Sequence, residues 1–387
     1  MLMAVHGRMI RDLEARGLLD RALEFLPTDD EISLRLAAGQ GMTSPELSVL
    51  AAYSKIALAH DLGTAISDDA WFADQISEYF PERMREAFPG LISHHALKDQ
   101  IVTTLVVNQV VNHGGITLVF RASEETGASA AEVVRAAAAV TGIFDLRTFW
   151  GRVDALDNVI PTAAQTALHL ESRRLLDRGL RWFLQSRGQT LDVAREVERF
   201  EPVIRSLAGQ VSGVLRGIEH ERFERGVNEF VELGAPVDLA EQASAMLDVF
   251  GLLDIAEIAE RSGSAPVEVL EVYFALSEMY GVDRLLGQIT KLTRGDRWSA
   301  LARQALRSDL YAALAAFTLG VMRDSSDGSA FDRIENWERH HAEGLARARG
   351  TLDQIASQES ADLAMLSVAL RVLRTLVTQS QSADPRL

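Results

Sequence analysis

The chain has 387 residues, with 39 Lys plus Arg against 55 Asp plus Glu, a formal net charge of −16, no Cys, 9 Pro and 27 Gly. The acidic excess argues against non-specific binding to nucleic acid or an anionic membrane, and the lack of cysteine excludes disulfides, thiolate catalysis and Cys-ligated metal. At 47% hydrophobic and 24% charged residues the chain is too apolar for disorder, and its length predicts two or three domain-sized units.

Residues 1–26 place Arg8, Arg11, Asp12, Glu14, Arg16, Asp20 and Arg21 among apolar residues, which predicts an amphipathic helix and not a secretory signal. This opening helix reads as mid-protein. Thr28-Asp29-Asp30-Glu31, Thr43-Ser44-Pro45-Glu46 and Ser129-Ala130-Ala131-Glu132 each carry the capping box, in which hydroxyl and carboxylate satisfy orphan N–H groups at a helix start. Between the first two boxes, Gly39-Gln40-Gly41 imitates a dinucleotide loop. It lacks the third glycine and follows a helical run instead of a strand. There is no P-loop lysine motif and no Gly-x-Ser-x-Gly elbow.

The most apolar stretch, residues 101–120, is interrupted by Asn108, Gln109, Asn112, His113 and Gly114-Gly115, so it predicts a buried helix ending at the glycine pair and a second helix beyond it. Thr104, Asn108 and Asn112 recur at four-residue spacing. Such a stripe either satisfies buried polar groups or faces a ligand. His94-His95 and His340-His341 are adjacent pairs, and neighbours on a helix point about 100° apart, so neither pair is a chelate; no metal site is predicted.

Residues 124–156 align without gaps on 260–292, with identities at Glu124/Glu260, Gly127/Gly263, Glu132/Glu268, Val133/Val269, Ala139/Ala275, Gly151/Gly287 and Leu156/Leu292. The shared frame is Glu-x-(Ser/Thr)-Gly followed by an apolar helix. It is either one helical unit used twice or a convergent helix–turn–helix. Within 171–184, Glu171, Arg173, Arg174, Asp177, Arg178 and Arg181 stand at helical pair spacings beside Leu175, Leu176, Leu180 and Phe183. This is either a solvated ion-paired face or an interdomain contact, for which arginine is better suited than lysine.

Residues 189–234 predict long charged helix, and 323–329 predict a loop. Residues 331–379 are helical again, with a seam of Leu363, Leu366, Leu370, Leu373 and Val377 that packs on the chain itself or on another subunit. Residues 380–387 predict a frayed tail. The fold class is therefore all-α: a multi-helix array with a possible internal duplication and no Rossmann fold.

Several blocks then fall into a familiar order. Thr43-Ser44-Pro45-Glu46-Leu47-Ser48-Val49-Leu50-Ala51-Ala52-Tyr53-Ser54-Lys55, Tyr79-Phe80-Pro81, His95-Ala96-Leu97-Lys98, Gly115-Ile116-Thr117, Glu124 to Ser129, Ala155-Leu156-Asp157-Asn158 with Pro161 and Gln165, and Glu171 to Trp182 occur in sequence. This series resembles the C-terminal helical region of the large bacterial NAD-specific glutamate dehydrogenases, departing from it at His113-Gly114. The resemblance implies a parent protein that converts L-glutamate and NAD to 2-oxoglutarate, ammonia and NADH. In that parent the catalytic lysines and the nucleotide-binding fold precede this region. No catalytic, cofactor-binding or metal residue is therefore carried over, NAD belongs to the parent, and this chain alone is expected to be inactive.

The expected layout is a family-like helical domain over 1–188, with a first unit at about 95–186. Connecting helices over 189–236, a second unit over 237–322 and a helix or helix pair over 331–380 follow. Asn108 and Asn112, with Asp157 and Asn158, are candidates for a buried polar network. The implied partners are the catalytic and N-terminal regions of the same protein, in a cytoplasmic homo-oligomer with no nucleic acid or membrane. A rival reading is a free-standing helical adaptor or regulatory protein that binds a partner chain.

Overall fold

The computed structural model describes residues 2–67, 69–187, 191–292, 296–324 and 328–382. The regular elements among these residues are helices, with no strand, as the sequence pattern predicts. The chain divides into two compact units. One comprises residues 1–143 and 176–198, the other residues 144–175 and 199–387. The helix Thr162–Ser186 supplies residues to both, so the division differs from the expected boundary at 188.

In the first unit, the N-terminal helix Leu2–Ala15 places Met3, Met9, Ile10 and Leu13 in one apolar cluster with Leu26, Ile32 and Leu50. The helices Asp29–Ala37 and Ser44–Leu62 begin at Thr28 and Thr43, each with its capping box formed, and Pro45 sits in the first turn, where its missing N–H has no partner to lose. The long apolar stretch divides where Gly114-Gly115 predicts. Lys98–Gly114 is one helix and Leu118–Thr126 the next. Lys98–Gly114 buries Val102, Val106, Val107, Val110 and Val111 and packs on Ser44–Leu62. Helix Ala130–Ile143 is alanine-rich because it is packed closely: Val133, Ala136, Ala137, Ala139 and Val140 are all buried. Opposite it, Gly179 lets another helix approach so near that an added Cβ would lie 2.7 Å from Val140 Cγ2.

In the second unit, Gly217–Glu232 and Val237–Val249 form an antiparallel pair joined through Gly234-Ala235-Pro236. Helix Pro266–Met279 is central. It buries eight residues from Val269 to Ser277 and touches Leu252–Ser262, Val282–Lys291, Arg297–Asp324 and Ala330–His340. Aromatic rings run from Tyr280 through Phe317 to Trp337, with centroids 4.7 Å apart at each step, and His341 stacks on Trp337 at 4.5 Å. Leu366, Leu370 and Leu373 of the predicted seam are buried, and their helix Leu363–Ser382 packs on Arg297–Asp324 and Ala342–Ala356 within the unit. The Val377 side chain, part of the 323–329 loop and most of the predicted tail lie outside the described residues.

The run 189–234 and the C-terminal stretch each divide into separate helices. Val193–Leu207 and Gly217–Glu232 are separated by short 3-10 and α turns over 208–214, where Gly209 and Gly213 weaken helical propensity. The C-terminal stretch is three helices, Ala330–His340, Ala342–Ala356 and Leu363–Ser382. Arg297–Asp324 is the helix among the described residues that is long and apolar enough to cross a membrane. Half of its apolar window is buried inside the protein.

The local backbone of 124–156 and 260–292 agrees at several aligned positions. Ala130–Ile143 and Pro266–Met279 each have 14 residues and occupy equivalent positions in the alignment. Gly127 and Gly263 both end a helix in the left-handed region, at φ 74 and φ 70. At both turns the preceding hydroxyl caps the chain. Thr126 Oγ1 donates to Ala122 O and accepts from the Ala128 N–H, while Ser262 Oγ donates to Ile258 O and accepts from the Ser264 N–H. Asp145 and Gly281 then match as positive-φ residues before the next helix. Past the aligned segment, the helix Thr162–Ser186 maps at the same offset inside the longer helix Arg297–Asp324.

The close approach at Gly179 leads to a specific expectation. Gly179→Val should destabilise the protein by about 1–3 kcal/mol, because the added methyls overlap Val140 in a closely packed contact; urea denaturation measures this directly, and an unchanged midpoint would mean the two helices separate freely.

Candidate functional site: buried ionic clusters

The first cluster lies in the first unit. Arg181, only 2% exposed, points its guanidinium at two carboxylates from different helices. Its Nε donates to Glu125 Oε2 at 2.5 Å, and its Nη1 lies 2.8 Å from Asp177 Oδ1 and donates to Asp177 O at 2.7 Å. Arg121 Nη2 donates to Asp177 Oδ1 at 2.7 Å, and Arg121 Nε to Thr117 Oγ1 at 3.2 Å. Glu124, beside Glu125, accepts from Arg8 Nε at 3.0 Å and Arg8 Nη2 at 3.0 Å. Helix Leu118–Thr126 thus holds both the N-terminal helix and the 176–186 segment through adjacent carboxylates. Burial pushes the Asp177 carboxyl up, but Arg181 and Arg121 outweigh it and hold Asp177 well below the usual carboxylate range. For Arg181, burial opposes the charge, while Asp177 and Glu125 overcome that effect and raise it further.

The other residues named from sequence lie elsewhere. Glu171 and Arg174 pair with each other one turn apart, and Arg174 is exposed; Arg173 and Arg178 are half-buried. The candidate buried network does not exist as such. Asn108 is half-buried, while Asn112, Asp157 and Asn158 are exposed. The physical reason for the first pair is that Lys98–Gly114 turns its valines inward, leaving the Thr104–Asn108–Asn112 stripe toward the rim, where Thr104 Oγ1 bonds back to Gln100 O at 2.7 Å. Asn158 sits at φ 59, a left-handed position that asparagine tolerates, and its side chain bonds its neighbour Asp157 at 3.2 Å in a surface turn. His95 serves a local turn. Its Nδ1 accepts from the Leu97 N–H at 3.1 Å, just before helix Lys98–Gly114.

The second cluster, in the second unit, carried no sequence signal. Glu219, 5% exposed, opens helix Gly217–Glu232 and accepts from Ser277 Oγ at 3.0 Å. One turn on, Arg222 pairs with the buried Asp248. Asp283, also buried, accepts from the Arg284 N–H at 2.7 Å. Burial, with the charges of Asp248 and Asp283, pushes the Glu219 carboxyl up to about 8, so at neutral pH it is mostly protonated. Asp283 is raised chiefly by burial. Nearby, the Tyr273 hydroxyl lies 3.4 Å from Asp254 Oδ2, and burial pushes this phenol well above its ordinary value. A single helical turn here carries a proton at neutral pH that an exposed glutamate would have lost.

Among the described residues no group of three or more His, Cys, Asp or Glu side chains could hold a metal ion. Gly39-Gln40-Gly41 lies in an exposed loop after helix Asp29–Ala37, without the strand that brings a dinucleotide cradle to the tip of a helix, so these residues do not fit NAD. Lys291 Nζ donates to Glu359 O at 3.2 Å, which makes it a cap for a neighbouring segment.

Helices packed around buried arginine–carboxylate clusters define the class: an all-α packing module. Comparison with known proteins gives the family. The model described as "Glutamate dehydrogenase, C-terminal" matches residues 39–375, and the chain belongs to this family. It is 39% identical over 381 residues to the NAD-specific glutamate dehydrogenase of Mycobacterium tuberculosis, covering 98% of this chain and 23% of that protein. To the proteins of the same name from Pseudomonas aeruginosa and Halomonas elongata it is 38% and 32% identical, each over 380 residues, 98% of this chain and 24% of theirs. The chain therefore spans about a quarter of the length of these relatives and corresponds to their C-terminal part.

Two substitutions separate the clusters. Arg181→Met leaves Glu125 without its guanidinium partner and Asp177 with Arg121 alone, and should cost about 3–5 kcal/mol in urea unfolding at neutral pH. Glu219 acts in the opposite sense. Because its folded-state value is raised from 4.5 to about 8, the stability it contributes is full below pH 4.5 and is lost as pH rises toward 8. Glu219→Gln should remove that dependence, a slope of about 1.4 kcal/mol per pH unit inside the window; parallel pH profiles for wild type and variant would show that Glu219 titrates normally.

Proposed function

We propose that this chain is the non-catalytic C-terminal helical region of an NAD-specific glutamate dehydrogenase, acting through packing and contacts with the rest of that protein. The full-length protein would convert L-glutamate and NAD to 2-oxoglutarate, ammonia and NADH. The observation that carries this reading is the family match over 39–375, in a chain about a quarter as long as its relatives. The residue chemistry agrees with it. Arg181 and Asp177 neutralise one another inside the fold, and the three lysines sit on helices without a glycine loop or strand beside them. The partners are the catalytic and N-terminal regions of the same polypeptide, NAD is bound there, and the parent is a cytoplasmic homo-oligomer.

The test is an assay in two arms, following NADH absorbance with glutamate and NAD. The full-length dehydrogenase carrying this region should turn over, whereas the 387-residue chain should not. Robust turnover by the chain alone would refute a non-catalytic role, and a folded but inert full-length protein would refute the assignment of the parent.

A further inference from the structure

One segment of the first unit is built unlike its surroundings. From residue 81 to 100 only Ile92 is buried, and residues 82–91 are all exposed. The segment nonetheless carries large apolar side chains: Tyr79, Met84, Phe88, Leu91 and Leu97 all face solvent, Phe88 at 51% and Leu91 at 71% exposure. Its helices, Glu82–Ala87 and Pro89–Ser93, have six and five residues, well below the length at which a helix holds itself in water. Met84 lies on the first short helix and Leu91 on the second, with Phe88 at the non-helical junction between them, so the segment presents apolar groups with no core beneath most of them.

The charges point the same way. Arg8, Arg21, Arg35, Arg121, Arg135 and Arg181 of this unit each meet a carboxylate within it. Arg83, Arg85 and Lys98 form no ion pair among the described residues. With Glu82, Glu86 and Asp99 they bring residues 81–100 to net zero in a chain of net −16, so the segment is locally less acidic than the chain as a whole. Arginines beside exposed aromatic and aliphatic side chains are the composition of an interface core and its rim.

We infer that residues 79–98 are a docking arm, and that its occupant is an acidic, apolar-lined face of the region preceding this chain in the full-length dehydrogenase. The inference rests on the reading given under Proposed function. The relatives are about four times as long as this chain, so most of such a polypeptide lies outside it. A covalently tethered surface meets the arm at an effective concentration of the order of millimolar, which a second free copy in dilute solution does not reach. The apolar side chains supply the area, and the unpaired cations select an acidic face and oppose a basic one.

The experiment places a photoreactive benzoylphenylalanine at Leu91 in the full-length protein, followed by illumination and peptide mapping. The expected product is a cross-link to an acidic peptide preceding this chain, with its yield reduced about fivefold or more by Arg83→Glu with Arg85→Glu. Phe88→Ser, an exposed position that leaves the core untouched, should also lower the yield. A cross-link into residues 1–387 of a second copy, no cross-link, or a yield insensitive to charge reversal would each overturn the inference. Glutamate-dependent NADH formation is read on the same sample. Its absence alongside the expected cross-link would count against the assigned activity and leave the arm standing, whereas turnover without the cross-link would refute the arm alone.

Discussion

A guanidinium cannot be removed from water without acceptors for its N–H groups, and an arginine left alone in the interior costs several kcal/mol. Arg181 is in that position, and most of the first unit's geometry follows from how it is satisfied. Glu125 and Asp177 must approach from two directions, which fixes helix Leu118–Thr126 against the 176–186 segment. Asp177 in turn needs more positive charge than Arg181 alone provides, and Arg121 supplies it from the same helix as Glu125. Glu124 then faces the other way and anchors Arg8, so the N-terminal helix is held by the residue next to the one that holds Arg181. The ion network and the valine–alanine packing around Val140 and Gly179 reinforce one another. Each requires the helices at the separation the other produces.

The repeated frame shows that the backbone and its interior chemistry are separable. The turns at Gly127 and Gly263 agree in φ, in length and in their hydroxyl caps. At the aligned offset, however, the place of Arg181 is taken by Phe317 and that of Asp177 by Ala313. The second occurrence is centred on Tyr280, Phe317 and Trp337. What is common is the path of the chain, fixed by left-handed turns and caps; what differs is whether charge or aromatic surface fills the space between helices.

Local features were legible in the sequence because their causes are local. Capping boxes at Thr28, Thr43 and Ser129 form, since each needs only four consecutive residues. The helix break at Gly114-Gly115 and the all-α class follow from propensity and pattern in the same way. Of the ionic clusters, the Asp177–Arg181 pair was legible from its four-residue spacing, but the partners it meets on other helices were not. Arg181 and Glu125 are 56 residues apart, and Glu219 and Ser277 are 58 apart, with no spacing rule to join them. The polar stripe at Asn108 and Asn112 misled because four-residue recurrence identifies a helix face without saying which face is inside.

The two clusters also divide the pH scale between them. In the first, three guanidiniums meet three carboxylates, and Arg181 with Arg121 holds Asp177 well below the usual carboxylate range, so Asp177 stays ionised well into acid. In the second, carboxyls from three helices share Arg222, and the cheapest resolution is for Glu219 to keep its proton. Loss of that proton above neutral pH places an extra buried charge at the first turn of Gly217–Glu232, the helix most intimately packed against Val237–Val249. Arginine is what makes the first arrangement durable, because it does not titrate in the accessible range and its planar fork reaches two carboxylates at once. With 39 cationic side chains of which only Lys55, Lys98 and Lys291 are lysines, the composition follows from this use of charge: arginine inside, as fixed structural cations, and an acidic surplus of which Glu219 is neutralised by protonation.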